Sequence, residues 1–115
     1  MKGVKRKIST YGGYFEAFME TISAKEQQKI QYGLDLLKTL DRVPAKFVLP
    51  IRDGLYELRT EYNSNIYRVF FIFDDGDIVV LFHGFQKKTQ KTPKREIEKA
   101  LRIKQEYYED KRTFK

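Results

Sequence analysis

The sequence has no cysteine and only one histidine, His83, among 115 residues. The first absence removes disulfides, cysteine-type zinc sites and thiol nucleophiles together, and it fits a reducing compartment. The second leaves a histidine-based metal cage short of ligands. Long apolar runs are missing too. The longest are five residues, Val69–Phe73 and Ile78–Phe82, far below the roughly 20 that a membrane-spanning helix needs. The basic N-terminus (Lys2, Lys5, Arg6, Lys7) is not followed by the apolar stretch of a secretory signal. The chain therefore reads as cytoplasmic, with no membrane partner. No repeat, low-complexity tract or linker divides it. One domain, residues 1–115, is expected, large enough to bury roughly two-thirds of its unfolded surface and to fold without staples.

What the chain does have is positive charge, unevenly placed. The formal net charge is +7, and residues 87–104 hold eight Lys or Arg against Glu96 and Glu98, so this stretch alone carries +6. It follows directly on the apolar segment that contains the histidine, in the run Phe82-His83-Gly84-Phe85-Gln86-Lys87-Lys88-Thr89-Gln90-Lys91-Thr92-Pro93. A cation field so concentrated points to a polyanionic partner. For Arg95, Lys99 and Arg102 a solvated helix face is the plainer reading, whereas Lys87 and Lys88 precede that helix on a loop.

Periodicity changes halfway along the chain. Phe15, Phe18, Met19 and Ile22 follow helical spacing, and Ser23-Ala24-Lys25-Glu26 is a capping box opening a second helix with Ile30, Gly33, Leu34, Leu37 and Leu40 on one stripe. Residues 41–54, with Pro44, Pro50 and Gly54, read as an irregular connection. Period-two strands are expected at 55–62, 65–73 and 77–84, separated by Asn63-Ser64 and by Asp75-Gly76, the latter a type I′ hairpin signal. Residues 4–9 read as a short edge strand. Thr92 and Pro93 supply an N-cap and a first helical proline, and Ile97, Ala100, Leu101, Ile103, Tyr107 and Tyr108 form the apolar stripe of a closing helix. The fold class is α+β: two N-terminal helices, a curled antiparallel β-meander sheet and a C-terminal helix. Tyr107 and Tyr108 read as core and lid. The Asp74, Asp75 and Asp77 cluster is explained by its turn and lacks calcium-loop spacing.

Counting from the turns gives a register. A two-residue Asp75-Gly76 turn sets Asp74 against Asp77 and Arg68 against His83; a two-residue Asn63-Ser64 turn sets Arg59 against Arg68. A three-residue loop at Asn63-Ser64-Asn65 instead moves Arg59 to the other face. The first counting also puts Phe70, Ile72, Val79 and Leu81 on the arginine face, with Val69, Phe71, Phe73, Ile78, Val80 and Phe82 opposite. Facing arginines repel, so the row Arg59, Arg68, His83 calls for an anion. Arg59 has a second option, an ion pair with Glu57 or Glu61, and Arg68, between apolar neighbours, requires a carboxylate or an anion site. His83 is either a hydrogen-bonded structural residue or, with its pKa lowered beside a cation, a proton acceptor.

The segments Gly54-Leu55-Tyr56-Glu57-Leu58-Arg59, Tyr67-Arg68-Val69-Phe70-Phe71 and Leu81 to Pro93 together resemble the RelE/ParE toxin superfamily, and within it the HigB-like branch of phage-derived toxin proteins. The Lys-Lys-Thr-x-Lys-Thr-Pro run is the most specific piece. The resemblance implies a RelE-like microbial RNase fold and the toxin of a type II toxin–antitoxin system, a ribosome-dependent mRNA interferase. Such an endoribonuclease needs no metal or other cofactor. It also implies a cognate antitoxin, commonly of helix-turn-helix type, through which alone DNA would be contacted, with mRNA and the ribosome as the other partners. Carried over by position, Arg68 clamps the scissile phosphate, Arg59 orients the backbone, Lys87 and Lys88 supply the basic group past the last strand, with Lys91 beside them on the RNA. His83 is the candidate general base or acid. Two departures stand out. Glu57 occupies a strand position where archetypal RelE has lysines, and Thr89, Thr92 and Pro93 stand where it has a catalytic tyrosine. Glu57, or Tyr107 or Tyr108 reaching back, is then the alternative for proton transfer. Two other function classes share this resemblance: a ParE-like inhibitor of a partner protein such as gyrase, and a domain that binds RNA or an antitoxin without cutting.

Overall fold

The computed structural model describes residues 5–87 and 92–113. In chain order the elements are β1 (Lys7–Thr10), α1 (Tyr14–Met19), α2 (Ala24–Thr39), β2 (Val48–Arg52), β3 (Leu55–Tyr62), β4 (Asn65–Asp74), β5 (Ile78–Lys87) and α3 (Lys94–Thr113). The strands form one five-stranded sheet in the order β1-β5-β4-β3-β2. All neighbours are antiparallel except β1, which lies parallel to β5. The expected α+β plan holds: the edge strand expected at 4–9 forms as β1, and the meander gains β2 on its other side. The segment read as an irregular connection contains β2. Its Pro50 is tolerated because β2 is an edge strand, where a missing N–H need not break a ladder.

β4, near the middle of the sheet, is buried on both faces, which is why its sequence runs apolar from Val69 to Phe73 instead of alternating. One face carries Leu58, Tyr67, Val69, Phe71, Val79 and Leu81 against Phe18 of α1 and Ile30, Leu34 and Leu37 of α2. The other carries Leu55, Phe70, Ile72, Val80 and Phe82 against Ala100 and Ile103 of α3. Each large apolar side chain so buried contributes about 1.5–3 kcal/mol relative to exposure, so the two layers, not helix propensity, hold the helices in place. The capping box forms: Ser23 Oγ accepts from the Glu26 amide at 3.2 Å and Glu26 Oε1 accepts from the Ser23 amide at 2.7 Å. At the other end of α2, the Arg6 guanidinium donates to the Leu37 and Leu40 carbonyls, both at 2.7 Å. Part of the basic N-terminus thus serves as a helix C-cap.

α1 lies directly over Gly84 of β5. A Cβ added there would stand 2.5 Å from the Phe18 ring. Gly84→Ala is therefore expected to cost about 1–3 kcal/mol through overpacking, read as a lowered urea midpoint with an unchanged slope.

The hairpin registers divide. Asn63 and Ser64, both at positive φ, make the two-residue turn, and Arg59 faces Arg68 as counted. At the next hairpin the loop has three residues, because Asp77 joins Asp75 and Gly76 and Asp74 pairs with Ile78. A bulge follows between Val69 and Phe71, after which Val69 faces Gly84 and Arg68 faces Phe85, not His83. Val79 and Leu81 consequently belong with Phe71, and Val80 and Phe82 with Phe70, the reverse of the expected faces. α3 begins at Lys94, and the Pro93 carbonyl accepts the Ile97 amide. Thr92 is thus outside the helix, and its side chain does something else. At the far end of α3, Tyr107 and Lys111 both donate to Asp74, at 2.5 and 2.6 Å, so Asp74 anchors the helix as well as shaping a turn. Burial pushes the Asp74 carboxyl up, but those two donors together hold it below the usual carboxylate range.

Candidate functional site

Strand alternation puts Glu57 and Arg59 of β3, Arg68 of β4 and Phe85 and Lys87 of β5 on the α3 side of the sheet, beyond the apolar layer. At the centre is Glu57, fully buried, with Arg68 3% and Lys87 4% exposed. One Glu57 oxygen accepts from Arg68 Nη1 in a buried ion pair. The other accepts from the Thr92 hydroxyl at 2.8 Å, and Lys87 Nζ stands 3.5 Å from that same hydroxyl. Arg59, partly exposed, pairs with Glu61 at 3.3 Å. Of the two options for Arg68, the carboxylate is thus present, and for Arg59 the partner is Glu61.

The excess of cations leaves a mark on Lys87. Burial, reinforced by Arg68 and Arg59 and only partly countered by Glu57, lowers its ammonium from the ordinary value of 10.5 to about 8. A lysine so placed is still mostly protonated at neutral pH but gives up its proton far more readily than a solvated one.

His83 lies apart from this cluster. Its ring packs on Phe70 and Phe85 at centroid separations of 5.1 and 6.3 Å, and Nε2 meets Glu96 Oε1 of α3 at 2.9 Å. Among the described residues its buried Nδ1 has no hydrogen-bond partner. Burial first, and Lys99 after it, depress its pKa below 6.5 despite the Glu96 hydrogen bond. The unfolded chain therefore binds the proton more tightly, and stability should fall as pH drops below about 6.5. His83→Gln is expected to flatten that part of the profile of urea midpoint against pH. His83 also lines a groove of about 530 Å³ between α1 and α3, with Tyr14, Phe18, Gln86 and Lys99.

Lys88 and Lys91 lie outside the described residues. Arg95, Lys99 and Arg102 are exposed on α3, as expected of a solvated face. Tyr107, held by Asp74 at the turn end of the sheet, belongs to the core and lid, and burial with Asp74 raises its phenol to about 12. Sequence reasoning gave Thr92 to helix capping and so missed its bond to Glu57. It also missed Glu96 as the partner of His83; nothing in the local pattern distinguishes Glu96 from an ordinary acid in a helix's first turn.

Residues 17–105 match the family described as "Phage derived protein Gp49-like (DUF891)". The chain belongs to this family, a RelE/HigB-type group within the RelE/ParE superfamily. The match spans α2, all of β2 to β5 and most of α3, and so includes every residue of the Gp49-like cluster just described. No curated protein matches the sequence significantly. Among solved structures, a chain of the toxin–antitoxin complex RelBE2 from Mycobacterium tuberculosis superposes with a TM-score of 0.50 at 17% identity, over 76% of this chain and 98% of that one. A chain of the archaeal RelE–RelB complex from Pyrococcus horikoshii OT3 gives 0.53 at 11% identity, over 76% and 99%. At such identities the likeness is one of fold. The Gp49-like chain keeps the RelE framework while building its charged cluster around a glutamate.

Proposed function

We propose that this Gp49-like chain is the toxin of a type II toxin–antitoxin pair and cleaves mRNA on the ribosome as a metal-independent endoribonuclease. The observation that supports this most is the gathering of Arg59, Arg68 and Lys87 on one face around the buried Glu57 carboxylate. Cleavage of this kind requires a 2′-hydroxyl to lose its proton and attack the adjacent phosphate. The P–O5′ bond then breaks, leaving a 2′,3′-cyclic phosphate and a 5′-hydroxyl. Arg68 and Arg59 offset the charge that accumulates on the phosphorane, which is greatest in the transition state. Glu57, held by Arg68, accepts the 2′ proton once the bound strand displaces the Thr92 hydroxyl from its second oxygen, and Lys87 delivers a proton to the departing 5′-oxygen. Lys88 and Lys91 add phosphate contacts. His83, bonded to Glu96 and packed against two phenylalanines, sets the first turn of α3 against β5 in this scheme and moves no proton.

The two solved structures named above are toxin–antitoxin complexes, which supports an antitoxin as the protein partner here. A helix-turn-helix reading frame beside the gene would fit that role. The test is to induce the chain in a bacterial host and map mRNA 5′ ends. Cuts inside translated codons are expected. Growth arrest with intact mRNA and damaged DNA would overturn the nuclease reading in favour of a gyrase inhibitor.

A further inference from the structure

β2 covers β3 only from Leu55 to Leu58, so Arg59 to Tyr62 run on past it. Among the described residues the Arg59 amide reaches the Phe47 carbonyl at 2.7 Å, and no strand pairs with Thr60 to Tyr62 on that side. Around it lie three depressions of about 340, 160 and 210 Å³. Neighbouring ones share walls. The first, against the outer face of α2, shares Lys29 and Tyr32 with the second, and the second shares Phe47, Arg59 and Glu61 with the third. The path begins between Tyr62 and Lys25, crosses Tyr32, and ends at Arg59, which belongs to the charged cluster.

The chemistry along it is consistent. Four cations line it, Lys25, Lys29, Lys46 and Arg59, against one acid, Glu61, and that acid is engaged with Arg59. Among the described residues Lys25, Lys29 and Lys46 make no ion pair, and all three are exposed. Tyr32 is 55% exposed, the one large apolar side chain so placed among the described residues. Phe47 already carries the Lys46 ammonium 5.1 Å from its ring centroid, which leaves the exposed Tyr32 as the main ring surface, with half-buried Tyr62, packed on the core, beside it. A ring this exposed adds little to the core, and the lysines around it make no ion pair among the described residues. The arrangement fits a strand of unpaired nucleotides, whose bases stack on aromatic rings while the phosphates meet the cations.

We infer that this path over α2 and the β3 edge binds single-stranded RNA, guiding the strand from Tyr32 to Arg59. The inference deepens the nuclease reading and takes the identity of the strand from it, but the binding surface is tested without cleavage. The probe is a fluorescent, mixed-sequence 2′-O-methyl oligoribonucleotide, which lacks the attacking hydroxyl and so reports affinity alone. Tyr32→Ala is expected to weaken its binding about tenfold, within the range for loss of one stacked base, whereas Tyr32→Phe, which keeps the ring, binds as the native chain does. Lys25→Ala with Lys29→Ala should lower the slope of log affinity against log salt by roughly 1.4, at about 0.7 per phosphate on a single strand. Arg102→Ala, a cation on the exposed face of α3, serves as the control and should leave affinity unchanged. Native affinity and salt slope in both the Tyr32→Ala and the lysine variants would overturn the inference. If those variants bound RNA normally but lost hold of the protein encoded beside the gene, the path would be a protein-docking surface and the RNA assignment would fall. Loss of codon-specific cuts in cells with intact oligonucleotide binding bears on the nuclease reading alone.

Discussion

Replacing Arg68 by alanine is expected to abolish mRNA cleavage and also to cost about 3–5 kcal/mol of stability, because it strands a buried carboxylate. Glu57 is fully buried and Arg68 is its ion-pair partner. Without the guanidinium, the Glu57 oxygen that Arg68 holds is left, among the described residues, in a low-dielectric interior with Lys87 nearby. Lost activity in Arg68→Ala is thus ambiguous by itself, since the chain could be inactive through unfolding. A double replacement separates the effects. Glu57→Leu with Arg68→Leu removes both charges and fills similar space, so it should recover much of the stability lost in the single variant while remaining inactive. Arg68→Lys keeps a charge beside Glu57 but loses the planar fork that suits a phosphate, and it should lie between the two in stability with cleavage still strongly impaired. Urea midpoints and cleavage of a ribosome-bound message are the two measurements. A folded Arg68→Ala chain that still cuts would remove Arg68 from the reaction.

The parts of this site that were legible in the sequence are those fixed by local rules. Asn63-Ser64 closes as a two-residue turn because both residues tolerate positive φ, and counting from it sets Arg59 opposite Arg68. The capping box, the helix stripes and the closing helix likewise need only short-range spacing. The opposite edge of β4 was not legible. Asp75-Gly76 is a strong turn signal, yet the loop absorbs Asp77, and the bulge opposite Phe70 leaves no trace in a run where every residue is apolar. Each event shifts the pairing by one residue. Between them, from Ile78 to Phe82, the side chains fall on the faces opposite to those counted. Beyond the bulge the two shifts restore the face, so His83 and Lys87 reach the α3 side with Arg68, but two residues out of step, and Phe85 takes the place expected for His83. Pro50 hid β2, since a proline argues against a strand unless the strand is known to be an edge. The role of Thr92 was invisible because it depends on Glu57, 35 positions earlier in the chain.

For Lys87 the expected result is a pH profile that separates proton donation from simple attraction. With its pKa lowered to about 8 by burial and by the neighbouring arginines, kcat/KM for cleavage should hold through neutral pH and fall as pH rises past that value, since kcat/KM reports groups of the free enzyme. Lys87→Ala should lower the cleavage rate by about 10²–10⁴, the usual contribution of a positioned acid, and remove that descending limb. Lys87→Arg is the decisive variant. Its guanidinium keeps the charge but holds its proton at every relevant pH, so oligonucleotide binding should persist while cleavage fails. Full cleavage by Lys87→Arg would reduce Lys87 to an electrostatic clamp. Stability gives an independent check on the same residue. The folded pKa lies below the unfolded one, so between about pH 8 and the ordinary value of 10.5 the unfolded chain binds more protons, and stability rises with pH across that window. Below it the fold carries the unfavourable buried cation at full cost. Lys87→Met is therefore expected to unfold at higher urea than the native chain at pH 7 while losing cleavage. Stability given up in exchange for activity in this way is what separates a catalytic lysine from one that merely fills its place.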